Sequence, residues 1–306
     1  IQGSGSNGVD ADFTLYNETF SAYPNQSDFD FPNLNISLFS ENIFYLSDKL
    51  SITPGLRLEH IKTESSGVYQ DVVFDNAGNA IANLQLEDNK SLSRNFALLG
   101  IGVSYKLKEE IQLIANLSQN YRSVTFSDIR VVSPGFIIDP DIKDENGLTF
   151  DIGIKGRKDK VFSYDFTSYA VLYNDRIGII LDDRANRVRK NIGNAFIAGT
   201  ESLINVNFAR WFSSELQKFK LNYFLNTSFS YSRYLSSEEN NVVGKEVEFI
   251  PKVNIKTGID ISYKSFEFVY QFGYLSSQFT DVQNSSIAAD GDSRSGLIGE
   301  IPAYQI

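Results

Sequence analysis

Residues 182–190 read DDRANRVRK, and no other short segment gathers so many groups able to grip an anion. Arg184, Arg187, Arg189 and Lys190 stand against Asp182 and Asp183, so four cations face two acids and the segment carries +2. Guanidinium forks match carboxylates and other anionic chelating groups, because two parallel N–H donors meet two oxygens in one plane. Arg122 and Arg130 flank another long connection and are further candidates for the same chemistry. A solvated loop with internal ion pairs is the plainer reading of 182–190, and only the placement of these arginines separates the two.

Other chemistry finds little support. The chain has no cysteine and a single histidine, His60, which removes thiolate sites and histidine clusters as metal centres. There is no G-x-S-x-G elbow, and no nucleophile has a histidine partner, so no catalytic residue and no cofactor are expected. Asp139, Asp141, Asp144 and Glu145 are close in sequence but lack the spacing of a calcium loop, and are expected to be hydrated. The Gly-rich start GSGSNG precedes no helix pattern, so it is no phosphate cradle. A net charge of −10 argues against a nucleic-acid partner, which needs a basic footprint.

The elements that would hold these groups are strands. In 250–274, Val253, Ile255, Thr257, Ile259, Ile261 and Tyr263 take every second position, with Lys252, Asn254, Lys256, Asp260 and Ser262 between them. After Lys264-Ser265, Phe266, Phe268, Tyr270, Phe272 and Tyr274 resume the alternation. The pattern recurs around Leu99–Tyr105, Ile111–Tyr121, Phe162–Leu172 and Phe219–Tyr231. Period-two alternation gives a strand one apolar and one polar face. These runs reach ten or more residues, beyond the usual soluble strand of about 5–6 and close to the roughly 9–11 that a tilted strand needs to cross a bilayer. The mean hydropathy of −0.21 fits, since only alternate residues of such a wall meet lipid.

Connections alternate in length. Short ones fall at Ser47-Asp48-Lys49, Lys108-Glu109, Arg157-Lys158-Asp159 and Lys264-Ser265, with Ala209–Lys218 somewhat longer. Long ones are expected at 64–92, 122–146, 177–190, 235–248 and 281–300. Tight turns on one side and long loops on the other are the habit of outer-membrane barrels. Tyr105, Tyr121, Tyr173, Tyr231, Tyr234, Tyr263 and Tyr274 sit at strand ends, where rings with a polar tip suit the lipid–water boundary. His60 falls on the apolar parity near an outer end, and Arg57 and Glu59 share the polar face as a wall ion pair. The expected fold is all-β: an antiparallel meander forming part of a transmembrane barrel. Residues 1–34 are read as an outer loop or irregular lead that opens on a strandless IQGSGSNGVDADF, and 35–306 as about ten strands with another just beginning.

Several segments also resemble the barrel of TonB-dependent outer-membrane receptors, the ferric-citrate (FecA) type above all. ENIFYLSDK followed by LSITPGLRLEHI (Glu41–Ile61) is similar to that family's strand, tight turn and T-P-G-x-R-x-E hairpin. YRSVTFSDI (Tyr121–Ile129), DPDIKDENGLTFDIGIKG (Asp139–Gly156), NIGNAFIAGTE (Asn191–Glu201) and the stretch Ser276–Pro302 resemble further family segments in the same order. The resemblance implies a 22-stranded barrel closed by a plug domain, of which this chain is the C-terminal half without the last strands. It implies import of a ferric siderophore or ferric citrate. It also implies a plug upstream of Ile1, through which the inner-membrane TonB complex acts, with outer-membrane lipid and lipopolysaccharide around the wall. It places the tip of hairpin 182–190 at the ligand. Ser21–Asn33 holds no Arg or Lys where the family carries an anchoring arginine.

Composition adds one tension. Glu64, Asp71, Asp75, Glu87 and Asp88 in one long connection, and Asp281, Asp290, Asp292 and Glu300 in another, make the expected mouth acidic. That favours cations over free anions and keeps nickel or cobalt chelates open. A glycan or peptide importer would show more loop aromatics than Tyr69, Phe74 and Phe136. A surface adhesin would show internal repeats, and none is found.

Overall fold

The computed structural model describes residues 2–4, 13–16, 27–75, 77, 79–129, 136–182, 187–212, 219–285, 297–298 and 303–305. Ten long strands carry the architecture: β1 (Asn33–Glu41), β2 (Leu50–Phe74), β3 (Ala80–Lys108), β4 (Ile111–Arg122), β5 (Glu145–Lys158), β6 (Phe162–Leu181), β7 (Arg187–Asn207), β8 (Phe219–Ser236), β9 (Val253–Tyr263) and β10 (Phe266–Leu275). Each pairs antiparallel with the next, so the sheet is a meander with no crossover between these strands. Among the described residues no helix is long and apolar enough to cross a membrane; any crossing is made by strands.

The register shows why the alternation matters. One row across the wall runs Ile101, Leu117, Phe150, Ala170, Ala198, Tyr231. The neighbouring row runs Gly102, Asn116, Asp151, Tyr169, Gly199, Ser230. Rows one residue apart project from opposite faces. On the first face Leu99 is 57 %, Ile152 50 % and Phe229 50 % exposed, values that a sandwich core would not leave. On the second, Asn116 donates to Asp151 (2.8 Å) and the Tyr169 and Ser230 hydroxyls meet at 2.9 Å. Gly199 permits that last contact, because a Cβ there would lie 2.7 Å from the Tyr169 hydroxyl. The apolar face looks outward to lipid and the polar face inward.

Packed apolar clusters lie elsewhere, where outer loops fold onto the inner wall. Val242 and Val247 pack with Ile192, Ala195, Ile197, Tyr234 and Val282. Val124, Ile129, Ile138 and Ile142 form a second cluster. A water-facing wall acquires a hydrophobic core only where chain covers it.

The tight turns fall where the sequence puts them, with Lys264 in the left-handed region (φ 55°) at the β9–β10 turn. Two long connections are shorter than expected. The stretch 64–92 is mostly ladder: β2 and β3 stay paired from Leu50↔Tyr105 to Phe74↔Ala80. Beyond the bilayer both faces of a strand meet water, so the ladder continues while the alternation fades. Likewise β6 runs to Leu181 and β7 resumes at Arg187. The lead also departs from the strandless reading, since Gln2–Ser4, Phe13–Tyr16 and Ser27–Asp30 are short strands paired in series onto the outer part of β2.

Candidate functional site: the inner wall at the outer mouth

At the outer end of β4 the chain leaves the wall at Arg122 and makes a helical turn, Phe126–Ile129. It returns as a short strand, Phe136–Ile138, parallel to Arg187–Arg189 of β7, before β5 begins at Glu145. This connection lies across the mouth and brings distant charges together.

Arg122 is the centre. Its Nη2 donates to both oxygens of Asp128 at 2.9 Å, and Nη1 donates to Glu145 at 3.2 Å. Asp128 also accepts from the Thr125 backbone N–H and hydroxyl, both at 2.9 Å, and lies 3.5 Å from Arg189 Nη1. Glu145 accepts the Ile177 N–H at 2.8 Å. Beside this group, Arg94 grips Asp144, which also accepts the Val124 N–H (2.7 Å) and the Tyr121 hydroxyl. Burial pushes the Asp144 carboxyl up, but Arg94, Tyr121 and the Val124 N–H outweigh it and hold its pKa below the ordinary range. Further round, Arg176 donates to Glu248 (2.9 Å) and to the Tyr234 hydroxyl (3.2 Å), and Tyr234 donates to Glu248 (2.9 Å).

Two cavities open beside these groups. One of about 460 Å³ is lined by Asn120, Tyr121, Arg122, Glu145, Tyr173, Arg176 and Ile177. Another of about 210 Å³ includes Arg122, Asp128, Arg189, Glu248 and Asp281 in its lining. Arg122 borders both. Each cavity therefore presents guanidinium, carboxylate and, in the larger, phenol groups to a polar guest.

Of the candidate residues, Arg122 and Arg189 come together through Asp128. Arg187 opens β7 two positions from Arg189. Arg187, Arg189 and Lys190 are strand residues rather than loop residues, and Lys190 pairs with Glu239 at 2.6 Å. Arg130 and Arg184 lie outside the described residues. Two of the acids expected to be hydrated are structural instead, since Asp144 and Glu145 bind arginine; Asp141 is exposed, and Asp139 accepts the Asp141 N–H at 2.9 Å in a local turn. Arg57 and Glu59 do pair on the wall. His60 sits in the outward row and its Nδ1 lies 2.8 Å from Asn95 Oδ1.

The tyrosines divide. Tyr105, Tyr231 and Tyr263 are outward and about half exposed, as a boundary ring requires. Tyr234 is fully buried under loop 237–251, and Tyr173 lies on the inner wall with Arg176 6.0 Å from its ring centre. Tyr121 turns to Asp144 and stacks on Phe96. Inner parity on their strands is the signal that separates Tyr173 and Tyr234 from the outward set, whereas Tyr121 shares the parity of Leu117 and carried no such signal. Sequence reasoning missed Arg94, Arg176, Asp128 and Glu248. It also missed Asn191, which brackets Lys143 by accepting its N–H (2.7 Å) and donating to its carbonyl (2.9 Å). Arg176 had a usable signal, being the lone cation of its strand near the outer end, whereas Arg94 lies in the middle of β3 and had none.

The comparisons agree with this wall. The chain resembles the ferric yersiniabactin uptake receptor FyuA from Yersinia pestis (TM-score 0.68, 13 % identity), covering 96 % of this chain and 40 % of that one. The ferric citrate transporter FecA in its unliganded form gives a TM-score of 0.63 at 15 % identity, over 96 % and 49 %. The copper transporter OprC gives 0.60 at 16 % identity, over 88 % and 39 %. The chain thus spans less than half the length of each of these, and at such identity the likeness is one of fold. The family model described as TonB dependent receptor-like, beta-barrel matches residues 2–306, so the chain belongs to that family and is an outer-membrane β-barrel.

Proposed function

We propose that this wall is part of a TonB-dependent transporter that takes up a metal chelate, a ferric siderophore or ferric citrate, at the outer mouth. The carrying observation is the larger cavity, where the Arg122 and Arg176 guanidinium groups, the Tyr121 and Tyr173 phenols and Asn120 line one hollow of the inner wall. Carboxylate, catecholate or phenolate oxygens around a metal would take hydrogen bonds from such donors. Ion pairs with Asp128, Glu145 and Glu248 keep the arginines ordered before a ligand arrives, which lowers the entropy cost of binding. In this reading the chain is the C-terminal part of a 22-stranded barrel, performs no reaction chemistry, and is driven by the TonB complex through a plug domain. The mixed-sign lining also suits a nickel or cobalt chelate, so the metal is decided by experiment.

The test uses the full-length receptor. Arg122→Ala, and separately Arg184, Arg187 and Arg189 changed together to Ala, are assayed for binding of ferric citrate and a panel of siderophores and for growth under iron limitation. The reading expects at least one chelate to lose roughly tenfold or more in affinity with Arg122→Ala, the scale of one charge-assisted hydrogen bond. Unchanged affinity for every chelate removes the cavity from the path. An effect of the triple variant alone moves the site to the hairpin tip.

A further inference from the structure

Loop 237–251 returns to the inner wall and presents one ring that the packing does not use. Val247 is buried in the cluster around Ile192, and its N–H donates to the Ser232 hydroxyl at 3.1 Å. The Glu248 carboxylate is held by Arg176 and Tyr234. Ile250 packs against the same cluster as Val247. Between them Phe249 donates its N–H to the Phe279 carbonyl at 2.8 Å, yet 57 % of the residue stays exposed.

The backbone at Phe249 is left-handed, with φ 60°. Among the described residues, the other non-glycine positions of positive φ are Asp159, Asp175, Asn241, Asn284 and Lys264. Asp and Asn tolerate this region because their short polar side chains bond the local backbone, and Lys264 sits in the tight β9–β10 turn. A bulky apolar side chain has no such compensation and is strained there. The grip on Val247, on Glu248 and on the Phe249 N–H imposes the conformation, and its consequence is a ring held out at the mouth.

That ring borders the smaller cavity, together with Arg122, Arg189, Ile177 and Val282. At about 210 Å³ the cavity is too small for a whole metal complex but suits one aromatic ring, since a void of about 150 Å³ admits benzene. Its lining offers apolar atoms to the flat of a ring and guanidinium groups to the oxygens on its edge. Arg122 also borders the larger cavity, so one chelate can rest its metal centre in the larger hollow and an arm in the smaller.

We propose that Phe249 is a specificity residue: its ring stacks on an aryl arm of the bound chelate, and the receptor thereby prefers chelates built on catechol-type rings to ferric citrate, which has no ring. The inference rests on the reading of the mouth as a chelate site. An aromatic pair contributes beyond the area it buries, by an amount equal to roughly a two- to tenfold change in affinity.

The test compares the full-length receptor with Phe249→Asn and Phe249→Trp, using radiolabelled ferric catecholate and ferric citrate in equilibrium binding. Asparagine accepts the left-handed backbone, so Phe249→Asn removes the ring and leaves the loop in place. It is expected to weaken ferric catecholate up to about tenfold, to leave any ferric citrate binding unchanged, and not to lower the urea midpoint for unfolding from bilayers. Phe249→Trp is expected to keep the catecholate affinity. A phenylalanine that only holds the loop gives the opposite pattern, a lower midpoint with equal losses for both complexes, and that result overturns the proposal. Unchanged catecholate affinity in Phe249→Asn also overturns it, and does so alone if Arg122→Ala still weakens binding. A receptor that binds ferric citrate and not ferric catecholate overturns it too. One that binds no chelate at all overturns the reading beneath it, and the inference with it.

Discussion

Arg94 and Asp144 lie fifty positions apart in the chain and meet as a fork and a carboxylate: Nε stands 2.8 Å from Oδ2 and Nη2 2.9 Å from Oδ1. The same guanidinium donates to the Val124 carbonyl, the Thr63 hydroxyl and the Leu92 carbonyl. One wall residue thus holds both ends of the connection 123–144. Arg94→Leu leaves Asp144 partly buried without its cation. The local cost is expected to be about 2–3 kcal/mol, the scale for losing charge-assisted hydrogen bonds at a desolvated acid. Hydrogen–deuterium exchange should show faster exchange in 123–129 and 136–144 with β7–β9 unchanged. Unaltered exchange there would show that the connection is held by other contacts.

Acid should release the same connection. The folded pKa of Asp144 is depressed, so its contribution is fully present above the unfolded value of about 3.9 and is lost as pH falls through the lower folded value. Exchange at the Val124 N–H is therefore expected to stay flat from pH 7 to about pH 4 after correction for intrinsic rates, and to rise below it. Asp144→Asn should abolish that rise and exchange fast throughout.

Gly193 tests the bulge between β6 and β7. Its φ of 149° lies where side chains are strained, and a Cβ would stand 2.0 Å from the Ser236 carbonyl oxygen. Gly193→Ala is expected to cost about 1–3 kcal/mol, read as a lower urea midpoint for unfolding from bilayers. Ala198→Gly, five positions along the same strand, serves as the control and should cost about 1 kcal/mol or less.

The two faces should answer oppositely to one charge. Ile152→Arg places a guanidinium in lipid and is expected to lower barrel stability by about 2–4 kcal/mol. Ser118→Arg, on the inward face near the same level, is expected to change it by less than about 1 kcal/mol. Equal costs in folding titrations into bilayers would contradict the orientation of the wall.

The wall was readable because lipid on one side and water on the other impose a period of two, as Leu99, Ile101 and Val103 show. The reading faltered where that contrast ends. From Thr63 to Phe74 the apolar–polar alternation fades, so a strand looks like a loop; at Arg187–Lys190 charged residues looked like a loop yet sit in a ladder. Arg122 and Arg189 were singled out by type, but Arg94, Arg176 and the acids that pair with these arginines were not. Asp128, Glu145 and Glu248 look like surface acids in the sequence, and only the return of each loop onto the wall turns them into ligands of Arg122 and Arg176. Tyr234 was misassigned to the boundary because strand-end position was weighed without its parity.

The β2–β3 hairpin adds a mechanical constraint. With 25 and 29 residues it overshoots the bilayer by a stiff ribbon roughly 35 Å tall, allowing for the usual strand tilt. A ribbon cross-linked along its length by backbone hydrogen bonds resists bending, so it stands as a fixed palisade beside the opening. The described parts of 123–144 and 237–251 are held more locally, by a three-residue ladder onto β7, a few backbone hydrogen bonds at Tyr234 and side-chain ion pairs, so they can yield where the hairpin cannot.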